Sequence, residues 1–172
     1  MKILKKTPFI LSLLLRGIYN QNRIQFDNIE IIDFNKKKNN SEKSLFDETI
    51  MDSLKLIKQL SPIKYQRVLK QIDSIVYSKR INEDSFSIKN KFYITNGFVQ
   101  WKDSKLMHIY YAGVLIYLST YRCLLSEKTD YYMEDKLKIY DISIRAEKQF
   151  YKKVENLYPE YKNTLIKKFL ED

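Results

Sequence analysis

The spacing of apolar positions changes several times along the chain, and each change predicts a boundary between elements. Ile24, Phe26, Ile29 and Ile31 flank the turn-prone pair Asp27-Asn28, which predicts one bent strand or a small hairpin over 23–34. A run of Lys, Asn, Ser and Glu over 35–43 follows and reads as an exposed linker. Ser44 can then cap a helix, because its hydroxyl accepts from orphan first-turn N–H groups, and Leu45, Ile50, Leu54, Ile57 and Leu60 follow near helical spacing. Ser61-Pro62 restarts the helix, with proline tolerated at the first helical position. Tyr65, Val68, Leu69, Ile72, Ile75 and Val76 give this second helix one apolar face.

From Ser85 the period becomes two. Phe86, Ile88, Phe92 and Ile94 alternate with polar residues around Lys89-Asn90, and Asn96-Gly97 supplies another turn, so a short antiparallel sheet is predicted. Ser104 opens the most hydrophobic helix, which runs to about Leu125 and carries apolar residues on nearly every face, so it belongs at the centre. A polar connection over 127–132 leads to a long helix from about Glu134 to Leu157, with Leu137, Ile144, Phe150 and Val154 on its apolar side. Pro159 ends it and begins a short terminal helix bearing Leu165, Ile166 and Phe169. The predicted class is α+β and predominantly helical: a small antiparallel sheet or hairpin packed against a buried central helix and a long second helix, with 61–154 as the core region.

Composition narrows this picture. At 172 residues, with 44% hydrophobic and 14% aromatic side chains, the chain can bury one substantial core, and a single domain over 1–172 is expected. Only three Gly and three Pro stand against 14 Tyr, which opposes disorder. The net charge of +10 attracts nucleic acid, anionic membrane or an acidic protein surface without choosing among them. Most of that charge is Lys, which lacks the planar fork that suits base edges, and this weakens the case for sequence-specific nucleic-acid readout. The lone Cys123 can form no intramolecular disulfide and fits a reducing, cytoplasmic setting. The basic and apolar start of the chain reads as a first helix packed on the core, since Arg16 interrupts the run and no small-x-small cleavage site follows. The apolar stretch 106–125 contains His108, Ser119, Thr120 and Arg122, so a buried central helix is expected there and no membrane span.

Candidate chemistry is sparse. One His and one Cys cannot build a structural zinc site, and no Gly-rich phosphate loop exists because Gly17, Gly97 and Gly113 are isolated. His108 could act as a general base but reads as a partly buried helix-start residue. Cys123 reads as a core thiol, with no downstream His to activate it. The acidic pairs Glu134-Asp135 and Asp141-Glu147 read as solvated helix surface. Tyr residues gather at Tyr110, Tyr111, Tyr117, Tyr121, Tyr131, Tyr132 and Tyr140. Tyr serves equally in core packing, at interfaces and under stacked bases, and Tyr110, Tyr111, Tyr131 and Tyr132 are the candidate interface.

The strand Lys91 to Thr95, the buried helix running through Ala112-Gly113-Val114-Leu115-Ile116 into Tyr117-Leu118-Ser119-Thr120-Tyr121, and the long helix after it resemble the layout of compact zincin-type metallopeptidase domains. The resemblance covers about 61–154. In that family His-Glu-x-x-His on the first helix supplies two zinc ligands and the general base, and a later helix adds a third ligand. Here the His positions correspond to Tyr117 and Tyr121, the Glu to Leu118, and the third-ligand neighbourhood to 138–141, beginning at Lys138. The resemblance therefore implies a scaffold without a zinc site or protease activity, and no cofactor. The expected function is a non-catalytic protein-interaction module presenting a basic, Tyr-rich surface to an acidic protein partner. A nucleic-acid-binding protein, using Lys for phosphates and Tyr for stacking, is the alternative.

Overall fold

A computed structural model describes residues 23–35, 43–78, 86–88, 91–94, 104–126 and 133–171. The architecture is α+β and predominantly helical. The backbone packs as two compact units that alternate along the chain. One lies within Met1–Asp47 and Ser74–Phe98, the other within Glu48–Asp73 and Val99–Asp172. Of the linker expected over 35–43, residues 36–42 lie outside the described residues, as does the expected N-terminal helix.

The first unit holds a five-stranded mixed sheet. Strands β1 (Arg23–Phe26) and β2 (Ile29–Asp33) form an antiparallel hairpin around Asp27-Asn28. Asp27 adopts φ 48°, a left-handed conformation that the short polar Asp side chain tolerates. Asp33, buried at the end of β2, accepts from the Asn35 backbone N–H at 2.8 Å and from the Asn35 side-chain amide at 3.2 Å, an Asx turn that stops the strand. Strands β4 (Phe86–Ile88) and β5 (Lys91–Ile94) form the second antiparallel hairpin. Between the two hairpins runs β3 (Ser74–Tyr77), parallel to β2 on one side and to β5 on the other, in the order β1-β2-β3-β5-β4.

Strand β3 corrects the predicted second helix, which ends at Gln71 instead of continuing through Val76. Ile72 is already extended, at φ −130° and ψ 112°. A strand flanked on both edges and buried on both faces has no polar alternation. Ile72, Ile75 and Val76 fall at helical intervals, yet they are equally a short β-branched run, and pairing on both sides decides between the two. The sheet is mixed, and not wholly antiparallel, because this central strand joins the two predicted hairpins.

Helix α1 (Leu45–Leu60) starts as predicted, and the cap is reciprocal. Ser44 Oγ accepts from the Asp47 N–H at 3.2 Å, while Asp47 Oδ2 accepts from the Ser44 N–H at 3.0 Å. Two orphan donors are satisfied at once, worth about 1 kcal/mol relative to alanine at the cap. Phe46, Ile50, Leu54 and Ile57 form its buried stripe. The boundary between the units falls within this helix, after Asp47.

The second unit is helical. Helix α2 (Pro62–Gln71) buries Tyr65 and Val68, and α3 (Ser104–Ser126) is buried along most of its length, from Met107 and Ile109 to Ile116, Ser119 and Thr120. Ser53 of α1 donates its hydroxyl to the carbonyls of Thr49 (2.7 Å) and His108 (2.9 Å), tying α1 to the first turns of α3. Helix α4 (Met133–Leu157) runs antiparallel to α3. Tyr151 near its end approaches the Tyr110 carbonyl and Gly113, and Tyr140 near its start meets Tyr117. The buried face of α4 is Ile139, Ser143, Ala146, Glu147, Phe150, Tyr151 and Val154. Phe150 and Val154 were predicted there; Leu137, also predicted, is 63% exposed. The face is rotated because small and polar residues occupy it: Ser143 returns its hydroxyl to the Ile139 carbonyl at 2.8 Å, and Glu147 pairs with Tyr151.

Gly113 of α3 lies directly under the Tyr151 ring of α4. A Cβ at this position would lie 2.0 Å from Tyr151 Oη and 2.3 Å from Cζ, so only glycine leaves room for the ring. After α4 the chain makes a 3₁₀ turn (Pro159–Tyr161) and then a π-helical segment (Lys167–Glu171), in place of the predicted regular terminal helix. Leu165 is buried, as its apolar character predicts, and donates its N–H to Glu155 at 3.1 Å. Phe169 lies against the rings of Tyr110 (5.4 Å) and Tyr151 (5.3 Å).

Candidate functional site

The helical unit holds a cleft of about 500 Å³ between α2 and α4. Its α2 wall carries Lys64 and Arg67, three residues apart and therefore on one helical face. Its α4 wall carries Arg145, Gln149 and Lys153, four apart and likewise on one face. Thr120 of α3 and Ser61, just before α2, contribute hydroxyls, and Pro62, Ile63 and Ile142 contribute apolar surface. The lining contains four cations and no carboxylate.

Neutral oxygens hold three of the cations. Arg67 Nη1 donates to Thr120 Oγ1 at 3.3 Å. Lys153 Nζ donates to the Leu60 carbonyl at 3.2 Å and to Ser61 Oγ at 3.3 Å. Lys64 Nζ donates to the Ala146 carbonyl on α4. Arg145 is exposed, and among the described residues none of the four cations forms an ion pair. Burial, then the charges of Lys153 and Arg67, push the Lys64 ammonium down to about 8. Half-buried like charges without a counter-ion repel one another, so an anion entering the cleft is stabilised and relieves that repulsion.

The start of α2 adds to the same field. Ser61 sits at the N-cap but makes no side-chain cap bond, because its hydroxyl is turned toward Lys153. Pro62 has no N–H to satisfy, and the first turn holds no acidic residue. Among the described residues no acceptor receives the N–H groups of Ile63 or Lys64, the usual condition of a helix's first turn. The arrangement has donors in quantity and no paired acid and base. Its charge and donors suit an anion.

The described residues among the candidates singled out in the sequence do not line this cleft. Tyr111 is only 3% exposed, which makes it a core residue and corrects its place among the interface candidates. Its ring packs edge-on to Tyr110 at 5.1 Å. Tyr110 is half-buried, and burial, with a smaller effect from Glu147, raises its phenol above the usual value. Tyr131 and Tyr132 lie outside the described residues. Tyr117 and Tyr121 stack along α3 at 6.0 Å, Tyr117 meets Tyr140 edge-on at 6.1 Å, and Leu118 beside them is half-buried. The Tyr117 phenol is pushed up to about 12, first by burial and then by Tyr140, Tyr121 and Glu147, which keeps it neutral. Lys138 is exposed on α4. Among the described residues no group of three or more His, Cys, Asp and Glu could hold a metal ion.

Glu147 overturns its reading as solvated surface. It is 5% exposed, accepts a hydrogen bond from the Tyr151 hydroxyl at 2.8 Å, and burial raises its carboxyl to about 7 against the lowering effect of that bond. The spacing that could have found it is Ser143-Glu147-Phe150-Val154, a buried stripe in which one member carries charge. The cleft residues were missed for a different reason. Lys and Arg are so frequent in this chain that the pairs 64/67 and 145/153 do not stand out until α2 and α4 bring them together.

Among the described residues no helix is long and apolar enough to cross a membrane. Compared with protein-family models, with curated proteins and with solved structures, the chain matches none.

Proposed function

We propose that this chain is a non-catalytic protein-interaction module whose helical unit receives an acidic segment of a partner protein in the cleft between α2 and α4. The observation that carries the reading is the lining itself: four cations, held by neutral oxygens or left exposed, with no carboxylate among them. Charge complementarity of this kind steers an acidic partner and fixes its register. Ile63, at 82% exposure, and Ile142, at 44%, supply apolar contact at the rim, where a protein segment places its hydrophobic side chains. No aromatic residue lines the cleft, so bases gain no stacking surface there, and the protein reading is favoured over nucleic acid.

The test compares the tagged protein with a variant carrying Arg145→Glu and Lys153→Glu as baits in nuclease-treated lysate. A protein retained by the native chain and lost from the variant, with both baits folded by circular dichroism, is the expected result. Identical retention by both baits overturns the assignment to the cleft. Retention of nucleic acid alone in an untreated lysate gives the site to nucleic acid instead.

A further inference from the structure

We propose that the cleft between α2 and α4 is a phosphomonoester site, so that the acidic segment it receives is a protein segment carrying a phosphorylated side chain. The inference rests on the reading above and narrows it. A carboxylate brings one charge and two oxygens. A phosphorylated side chain brings nearly two charges and three strong acceptor oxygens. The cleft offers donors in the larger number: the guanidinium groups of Arg67 and Arg145, the ammonium groups of Lys64 and Lys153, and the N–H groups of Ile63 and Lys64, which have no acceptor among the described residues. Guanidinium forks match phosphate oxygens in pairs, and a helix start without an acid favours the same anion.

The four cations share one cleft without a carboxylate, and burial first, then the charges of Lys153 and Arg67, depress the Lys64 ammonium. One dianion compensates more of this charge than one carboxylate can. Three other phosphate sources fit less well. A nucleotide has no aromatic face in the lining on which to place its base, and a bilayer has no Trp or Tyr ring there to hold the interface. Free inorganic phosphate would leave the exposed Ile63 and Ile142 side chains unused. A phosphorylated residue flanked by apolar neighbours uses both parts of the cleft.

The experiment measures fluorescence anisotropy of labelled degenerate peptides on the full chain. The pools share random flanks and differ at one fixed position: phosphoserine, phosphothreonine, phosphotyrosine, glutamate or serine. Expected is at least one phosphorylated pool binding about tenfold or more tighter than the glutamate pool. Competition by inorganic phosphate and loss of that margin in the folded variant Arg145→Gln/Lys153→Gln complete the expected result. Lys136→Gln, on an exposed part of α4 outside the cleft, keeps the margin. Glutamate and phosphorylated pools binding alike would leave the acidic-segment reading standing and remove the phosphoryl group from it. No binding by any pool removes both. Binding only to oligonucleotide or to phosphoinositide-containing vesicles, run alongside, also overturns the proposal and names the competing ligand.

Discussion

Helix α4 has two charged faces that obey opposite rules. Toward α2 it turns Arg145 and Lys153, cations kept beside water and left without counter-charge among the described residues. Toward α3 it turns Glu147, an acid withdrawn from water, bonded to one tyrosine hydroxyl, and kept protonated by burial up to about pH 7. Glu147 follows Arg145 by two positions and precedes Lys153 by six, but helical geometry turns it away from the cleft. Had this carboxylate faced α2, it would have offset one of the four cations of the cleft. The difference teaches that a helix can keep a basic face free of acids by turning its carboxyl to the buried side, where burial suppresses the charge.

The sharpest way to break this comparison is to titrate the buried face. Glu147 binds a proton in the folded state up to about pH 7, whereas an unfolded glutamate releases it near its ordinary value of 4.5. Between those values the folded state holds more protons, so stability falls as pH rises through the window and the loss is complete above about pH 7. A shift of this size corresponds to about 3 kcal/mol. Urea unfolding of the native chain at a series of pH values should show that decline, and Glu147→Gln, which keeps an acceptor for Tyr151, should flatten it. Equal slopes for the two proteins would mean that Glu147 does not carry the burial described here.

Next in size is the contact that makes room for the pair. Gly113→Ala places a methyl group on the Tyr151 ring and should destabilise the chain by about 2 kcal/mol, after allowing for the better helix propensity of alanine. Replacing Tyr151 by Phe in the same background removes the closest atom, the hydroxyl, and should recover only part of the loss, since Cζ remains at 2.3 Å from the new group. A midpoint for Gly113→Ala unchanged in urea would show that α3 and α4 can separate without penalty.

The smallest effect on stability belongs to the cleft. Lys153→Gln removes one of the charges that depress Lys64 and should shift stability by no more than about 0.5 kcal/mol, because the site is partly exposed and the lost bonds are to neutral oxygens. The Lys64 ammonium should meanwhile titrate higher, as read by the pH dependence of its labelling with an amine-reactive reagent. A large loss of stability would show that Lys153 serves the fold first.

Much of the architecture was legible because it is encoded locally. The Ser44 cap, the Ser61-Pro62 restart, the Asp27-Asn28 turn and the alternation over 86–94 each mark an element through residues adjacent in sequence. Strand β3 was not legible, since its state is decided by β2, far before it in sequence, and by β5, the second strand of the hairpin that follows. The cleft was hidden in the same way. Four of 31 basic residues form it, and nothing in their immediate surroundings distinguishes them from the other Lys and Arg. Glu147 was misread because a charge on a long helix is ordinarily solvated. Only the whole stripe from Ile139 to Val154 shows which side it takes.

The alternation of the two units along the chain has a consequence for anyone dissecting the protein. No single cut separates them. A fragment beginning at Glu48 carries β3, β4 and β5 without the hairpin that β3 pairs with, and a cut after Phe98 parts α1 and α2 from α3 and α4. The two walls of the cleft thus lie on opposite sides of an intervening run of strands, and a truncation series would abolish binding from either end while locating it in neither. Point substitutions in the cleft, which leave every element in place, are the changes that can assign an activity to the helices.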